Sequence, residues 1–130
     1  MGLALGGEIT GATFTKGVFM RFNPASSTAF DLEILKTLSG VNTVIKVQSF
    51  AIKIDEHPQP YRLTGRIEGG SAFLKMEDAK GFLLGETSVV LADSYPGTYC
   101  GIWTRVSGLD VQGSNFGVWA QRGDGTWAFT

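Results

Sequence analysis

The chain carries little of the equipment that catalysis requires. It has one histidine, His57, and one cysteine, Cys100. A Cys100–His57 dyad would activate the thiol as a nucleophile, but neither residue stands in a local signature for one. One His and one Cys also fall short of the ligand set of an ordinary structural zinc site. His57 follows two acids in the proline-bound stretch "DEHPQP", which reads as a solvated loop. Cys100 reads as a small buried hydrophobe. No Gly-x-Ser-x-Gly turn lifts a serine above a sheet. Paired carboxylates could hydrolyse a glycoside, and the candidates are Asp55–Glu56, Glu77–Asp78, Asp93 and Asp110. Both pairs fall in predicted loops or turns, where acids are common for solvation alone. "EGGSAF" and "GSNFG" contain glycine but open no clear helix, so a phosphate loop is not supported. The expectation is a non-catalytic protein with no metal and no cofactor.

Recognition has more to work with. "WAQRGDGTW", Trp119 to Trp127, encloses Arg122-Gly123-Asp124, a tripeptide familiar as an adhesion signal. With Gly123-Asp124 at the centre of a tight turn, Gln121 faces Thr126, Ala120 faces Trp127 and Val118 faces Phe129. Val118, Ala120, Trp127 and Phe129 then share a face, and Trp119 points the other way. The turn Arg122, Gly123, Asp124, Gly125 accounts for its glycines through the positive φ that such turns need. No receptor is required to explain the stretch.

Sugar binding needs a flat aromatic ring and short polar side chains that fix hydroxyls. The C-terminal third offers Tyr95, Tyr99, Trp103 and Trp119, with Asp110, Gln112, Asn115 and Gln121 nearby. Tyr99, Trp103 and Arg105 share one strand parity, while Cys100, Ile102, Thr104 and Val106 share the other. If the second set is core, Tyr99 and Trp103 face outward. The candidate interface or ligand platform is therefore Tyr99, Trp103, Trp119, Asp110, Asn115 and Gln121. The competing reading is that the aromatics form the second buried face of a sandwich.

These residues must be held by a fold that 130 residues can build. That length suits one domain over residues 1–130. The hydrophobic fraction of 43% supports a real core, and only 18% of residues are charged. Net charge is −1, with 11 Lys and Arg spread thinly from Lys16 to Arg122. No run of them would neutralise a row of phosphates, which argues against nucleic acid as a partner. No stretch approaches the roughly 20 apolar residues of a membrane-spanning helix. "MGLALGG" is too short and uncharged for a signal peptide and reads as an N-terminal arm over residues 1–7. The compartment is left open, with virion and cytoplasm both compatible.

The 18 glycines punctuate short apolar runs, which is the pattern of a turn-rich β protein. "EITGATF" and "KGVFMRF" predict strands, the second with Val18, Met20 and Phe22 alternating with Phe19 and Arg21. "NPASSTAFDLEILKTLSG" predicts one short helix near residues 26–38. Pro24 and Ser26 to Thr28 would start it, Phe30, Ile34 and Leu38 recur four apart, and Ser39-Gly40 would stop it. Phe30 to Ile34 also alternates as a strand would. "VNTVIKVQSFAIKID" is the clearest strand, apolar on both parities and so central or bulged midway. "YRLTGRIE" and "SAFLKME", joined by Gly69-Gly70, predict a hairpin. "GFLLGETSVVLAD", "TYCGIWTRV", "FGVWAQR" and "GTWAFT" complete about eight to ten short strands. The fold class expected is all-β, mainly antiparallel, a sandwich or a barrel.

Two functions fit such a chain. The first is a structural module acting through contacts with itself or other protein subunits, such as a virion-type shell, decoration or tail protein. The second is a lectin-like domain binding a carbohydrate or small ligand.

Overall fold

A computed structural model describes residues 2–11, 13–103, 119–121 and 127–129. Strands β1 (Gly2–Thr10), β2 (Thr13–Ser26), β3 (Ala29–Leu38) and β4 (Val41–Phe50) form an antiparallel meander. A short 3-10 turn at Ile54–Glu56 follows. The chain then crosses to a second meander of β5 (Arg62–Glu68), β6 (Ser71–Glu77) and β7 (Leu83–Val90). It returns as β8 (Tyr99–Trp103), which pairs with β1. The result is a five-stranded sheet of order β4-β3-β2-β1-β8 and a three-stranded sheet of order β5-β6-β7. A separate two-stranded ladder joins β9 (Trp119–Gln121) to β10 (Trp127–Phe129). The two sheets do not close on one another, so the fold is a β-sandwich and not a barrel. No helix among the described residues is long and apolar enough to cross a membrane.

The core lies between the sheets. Val18 and Met20 of β2 and Phe30, Leu32 and Ile34 of β3 meet Ala72, Leu74 and Met76 of β6 and Leu84 of β7. β7 lies across β3 and β4, and β5 packs against β1. Phe50 joins from β4, stacked on Phe30 with ring centroids 5.2 Å apart. Its ring also lies against Gly85 of β7, where an added Cβ would meet ring carbons at 3.0 Å. A glycine at that site lets the facing sheet bring an aromatic ring close to the backbone.

The expected helix at 26–38 is a strand. β3 pairs along its length with β2 and β4, and the turn residues have other jobs. Ser39 (φ 51) and Gly40 (φ 77) are the two left-handed residues between Leu38 and Val41, which are paired. That is the geometry of a two-residue hairpin turn. Pro24 lies in β2 beyond Arg21, the residue paired with Gly2 at the start of β1, so its missing N–H interrupts no β1 ladder. Ser26 accepts a hydrogen bond from the Thr28 N–H (3.2 Å) in the β2–β3 turn, where a helix cap was expected.

Residues 2–7, expected to form an arm, make up the first part of β1, and Gly2, Leu3 and Ala4 pair on both sides. Leu3 sits opposite Met20 of β2 and Ile102 of β8. β4 is bulged midway, as its sequence suggested, but it is an edge strand and not a central one. Ile45 is the extra residue between the pairs Ile34–Lys46 and Leu35–Val44. The bulge turns Val44 and Val47 to the same face of the sheet. Gly69 (φ 58) and Gly70 (φ 78) close the predicted β5–β6 hairpin between paired Glu68 and Ser71.

Candidate functional site

Two residues that the sequence set apart come together at one end of the sandwich. His57 lies in the connection from β4 to β5, and Asp78 follows β6. His57 Nδ1 and Asp78 Oδ2 are 3.2 Å apart. A histidine–carboxylate pair is half of an acid–base apparatus, so the rest of its surroundings decides its role. Asp78 Oδ1 accepts hydrogen bonds from the backbone N–H groups of Lys80 (2.8 Å) and Phe82 (3.0 Å). The Asp78 N–H donates to the Phe82 carbonyl at 2.9 Å, and the Ala79 N–H donates to that of Pro58 at 3.0 Å. The His57 ring stacks on Phe82, and the Tyr61 hydroxyl donates to the Ile54 carbonyl at 2.6 Å. Both carboxylate oxygens of Asp78 are thus committed to holding the β6–β7 turn and the crossover loop together. Loss of water there works to raise the Asp78 pKa. The Phe82 N–H, His57 and the Lys80 N–H outweigh it and hold the carboxyl below the ordinary aspartate value. His57 is therefore partly buried within this clasp and is not a solvated loop residue.

The other carboxylate candidates are dispersed. Glu56 pairs with Lys53 (3.7 Å), Glu77 with Lys75 (3.2 Å), and Asp93 with Lys36 (3.7 Å). Asp55 is exposed in the 3-10 turn, and Asp110 lies outside the described residues. Among the described residues, no three His, Cys, Asp or Glu side chains gather as a metal site would require.

The C-terminal platform divides. Tyr95 is buried in the core and so is not a surface for a sugar. Burial, followed by the Asp93 charge, raises its pKa. Tyr99 is 55% exposed. Cys100 is exposed as well, which corrects the expectation of a buried thiol. Trp103 pairs with Gly2 in the β8–β1 ladder. The β9–β10 register is one residue from the expected one. Gln121 pairs with Trp127, Ala120 with Ala128, and Trp119 with Phe129. Asp110, Gln112, Asn115 and the turn Arg122–Gly125 lie outside the described residues.

Two surfaces stand out that the sequence reading did not assemble. The first is apolar. Of eight exposed large hydrophobics among the described residues, Val41, Val44 and Val47 lie on β4, Leu83 and Val90 on β7, and Phe82 just before β7. Only Ile9 and Tyr99 lie elsewhere. β4 and β7 are edge strands of their own sheets, adjacent on one side of the sandwich and joined by a 2.9 Å hydrogen bond from Thr87 Oγ1 to Gln48 Oε1. The second surface is polar. A half-open depression of about 440 Å³ is lined by residues of β5, β6 and β7, with Lys46 and Gln48 of β4 at its margin. The signal for it was present as the polar parity of "YRLTGRIE" and "SAFLKME". Set beside protein-family models, curated proteins and solved structures, the chain matches none of them.

Proposed function

We propose that the protein is a non-catalytic structural module that works by binding other protein subunits, its own copies first, through the side of the sandwich formed by β4 and β7. One observation carries this reading. Six exposed large hydrophobics gather on these two adjacent edges, with Val41 65% and Val90 79% exposed. Exposed large apolar side chains on a soluble domain favour association, and among the described residues both strands present an open edge. A net charge of −1 gives little electrostatic opposition to association. A virion shell, decoration or tail role is one form that such a module would take. What supports the alternative, a lectin-like carbohydrate- or small-ligand-binding β domain, is the polar depression.

Light scattering over a dilution series tests the assembly reading. The expected result is a mass above the 13.9 kDa of one chain that falls on dilution, and a single-chain mass for Val44→Lys/Val47→Lys with the melting curve preserved. A single-chain mass for the unaltered protein at every concentration would remove self-assembly as the function.

A further inference from the structure

The outward face of the small sheet is a grid fixed by register. Arg66, Phe73 and Ser88 lie directly opposite one another in one row, and Thr64, Lys75 and Glu86 in the next. Opposed residues in neighbouring strands stand about 5 Å apart, so each row has room for a short chain of rings and not merely one ion. All six residues line the depression, together with Lys46 and Gln48.

The polar groups here are held ready. The Arg66 guanidinium lies over the Phe73 ring, 4.2 Å from its centroid. Glu68 binds it at Nε (3.1 Å), which leaves the terminal Nη donors for another acceptor. Lys75 is steadied by Glu77. Gln48 is oriented because its carbonyl oxygen takes the Thr87 hydroxyl hydrogen bond, so its amide N–H groups are left to donate. Lys46 forms no ion pair among the described residues. Thr64 and Ser88 add hydroxyls, and Glu86 adds an acceptor.

The charge balance selects the ligand. Lys46, Arg66 and Lys75 are set against Glu86 in the lining and Glu68 and Glu77 beside it. Three cations face three acids, so a polyanion such as a nucleic-acid backbone meets as much repulsion as attraction. A ligand with many hydroxyls and one carboxylate fits instead. Its hydroxyls would meet Thr64, Ser88, Gln48, Glu86 and the Lys46 ammonium, and its carboxylate would meet the free edge of Arg66. We infer that this depression binds an acidic saccharide.

The test is calorimetric titration of the full chain with three probes that carry one carboxylate each: an aldobiuronic acid, a hyaluronan disaccharide and a monosialylated oligosaccharide. Each is matched by a carboxyl-reduced, neutral counterpart, and sulfate serves as the bare anion. At least one acidic probe should bind with Kd of roughly 0.1–1 mM. Its reduced counterpart should bind about tenfold more weakly or not at all, since a charge-assisted hydrogen bond is lost. Lys46→Ala and Arg66→Gln should each weaken binding about tenfold, with the melting curve and mass in solution unchanged. Silence of all three probes at about 10 mM, equal binding of the reduced forms, indifference to both substitutions, or displacement by equimolar sulfate would each overturn the inference. It does not rest on the assembly reading. Titration heat decides this one and particle mass decides the other.

Discussion

Strands β3 and β6 each run through the middle of a sheet and each supply core residues to the same cluster, yet only one announces itself in the sequence. In β6, buried Ala72, Leu74 and Met76 alternate with half-exposed Ser71, Phe73, Lys75 and Glu77. One face of that sheet is wet, so polarity alternates with period two. In β3 the core face carries Phe30, Leu32 and Ile34, but the opposite face buries Glu33, Leu35 and Thr37 as well. A strand buried on both faces loses its polar parity, and "FDLEILKTL" then presents a pattern that a helix also satisfies. Residues four apart share a face in both structures, because four is a multiple of two and also close to one helical turn. Phe30, Ile34 and Leu38 therefore could not decide the matter. Leu32 could have, since a helix would turn it away from Phe30 while the strand stacks it beside Phe30 with 0% exposure.

The sharpest way to break this comparison is to remove the aromatic anchor of β3. Phe30→Ala takes a fully buried ring from contact with Phe22 and Phe50. It should destabilise by about 3–5 kcal/mol, read from urea or guanidinium unfolding. Phe73→Ala on β6 removes a ring of the same kind from the outward face and should cost about 1 kcal/mol or less, most of it the Arg66 contact. Equal losses at the two sites would mean that the outward face of the small sheet is covered in solution.

Gly85→Ala probes the fit between the two sheets. A methyl group at that position meets the Phe50 ring at 3.0 Å on three atoms, and a ring stacked on Phe30 has little room to yield. The expected cost is about 1–3 kcal/mol. A neutral result would show that the facing sheets slide past one another more freely than a packed core permits.

The clasp between the crossover loop and the β6–β7 turn should show its own pH signature. The folded pKa of Asp78 is lowered, while an unfolded aspartate titrates near about 3.9. The group's contribution is therefore fully present above about pH 4 and is lost as pH falls through the lower folded value. Asp78→Asn should lower Tm by a few degrees at neutral pH and converge on the unaltered protein in strong acid. A constant gap across the whole pH range would mean that the backbone hydrogen bonds, and not the charge, carry the effect.

Local chemistry and long-range placement were unequally legible. Gly69-Gly70 between alternating runs identified a hairpin because its signal is complete within a few residues. The proline-bound loop of His57 gave no hint of Asp78, because their meeting depends on how the crossover docks on a turn 21 residues away. The polar depression was hidden for the same reason. Each of its strands shows one ordinary polar parity, and only the register of all three, with β4 alongside, makes a surface of it. The β9–β10 register was off by one residue, and one residue exchanges every cross-strand partner.

Ser39-Gly40 carries the smallest effect and the closest test of how β3 was misread. A Ser-Gly pair stops a helix and turns a hairpin through the same property, a left-handed backbone. In this chain Ser39 itself is left-handed, with φ 51, a conformation that costs an L-residue roughly 1 kcal/mol or more. Glycine adopts it freely but loses more chain entropy on folding, a penalty of about 0.5–1 kcal/mol. The two nearly cancel, so Ser39→Gly should stabilise by a few tenths of a kcal/mol. Amide exchange at Leu38 and Val41, the residues flanking the turn, should slow by a matching factor. A clear loss of stability would mean that the Ser39 side chain does more at the turn than tolerate its backbone.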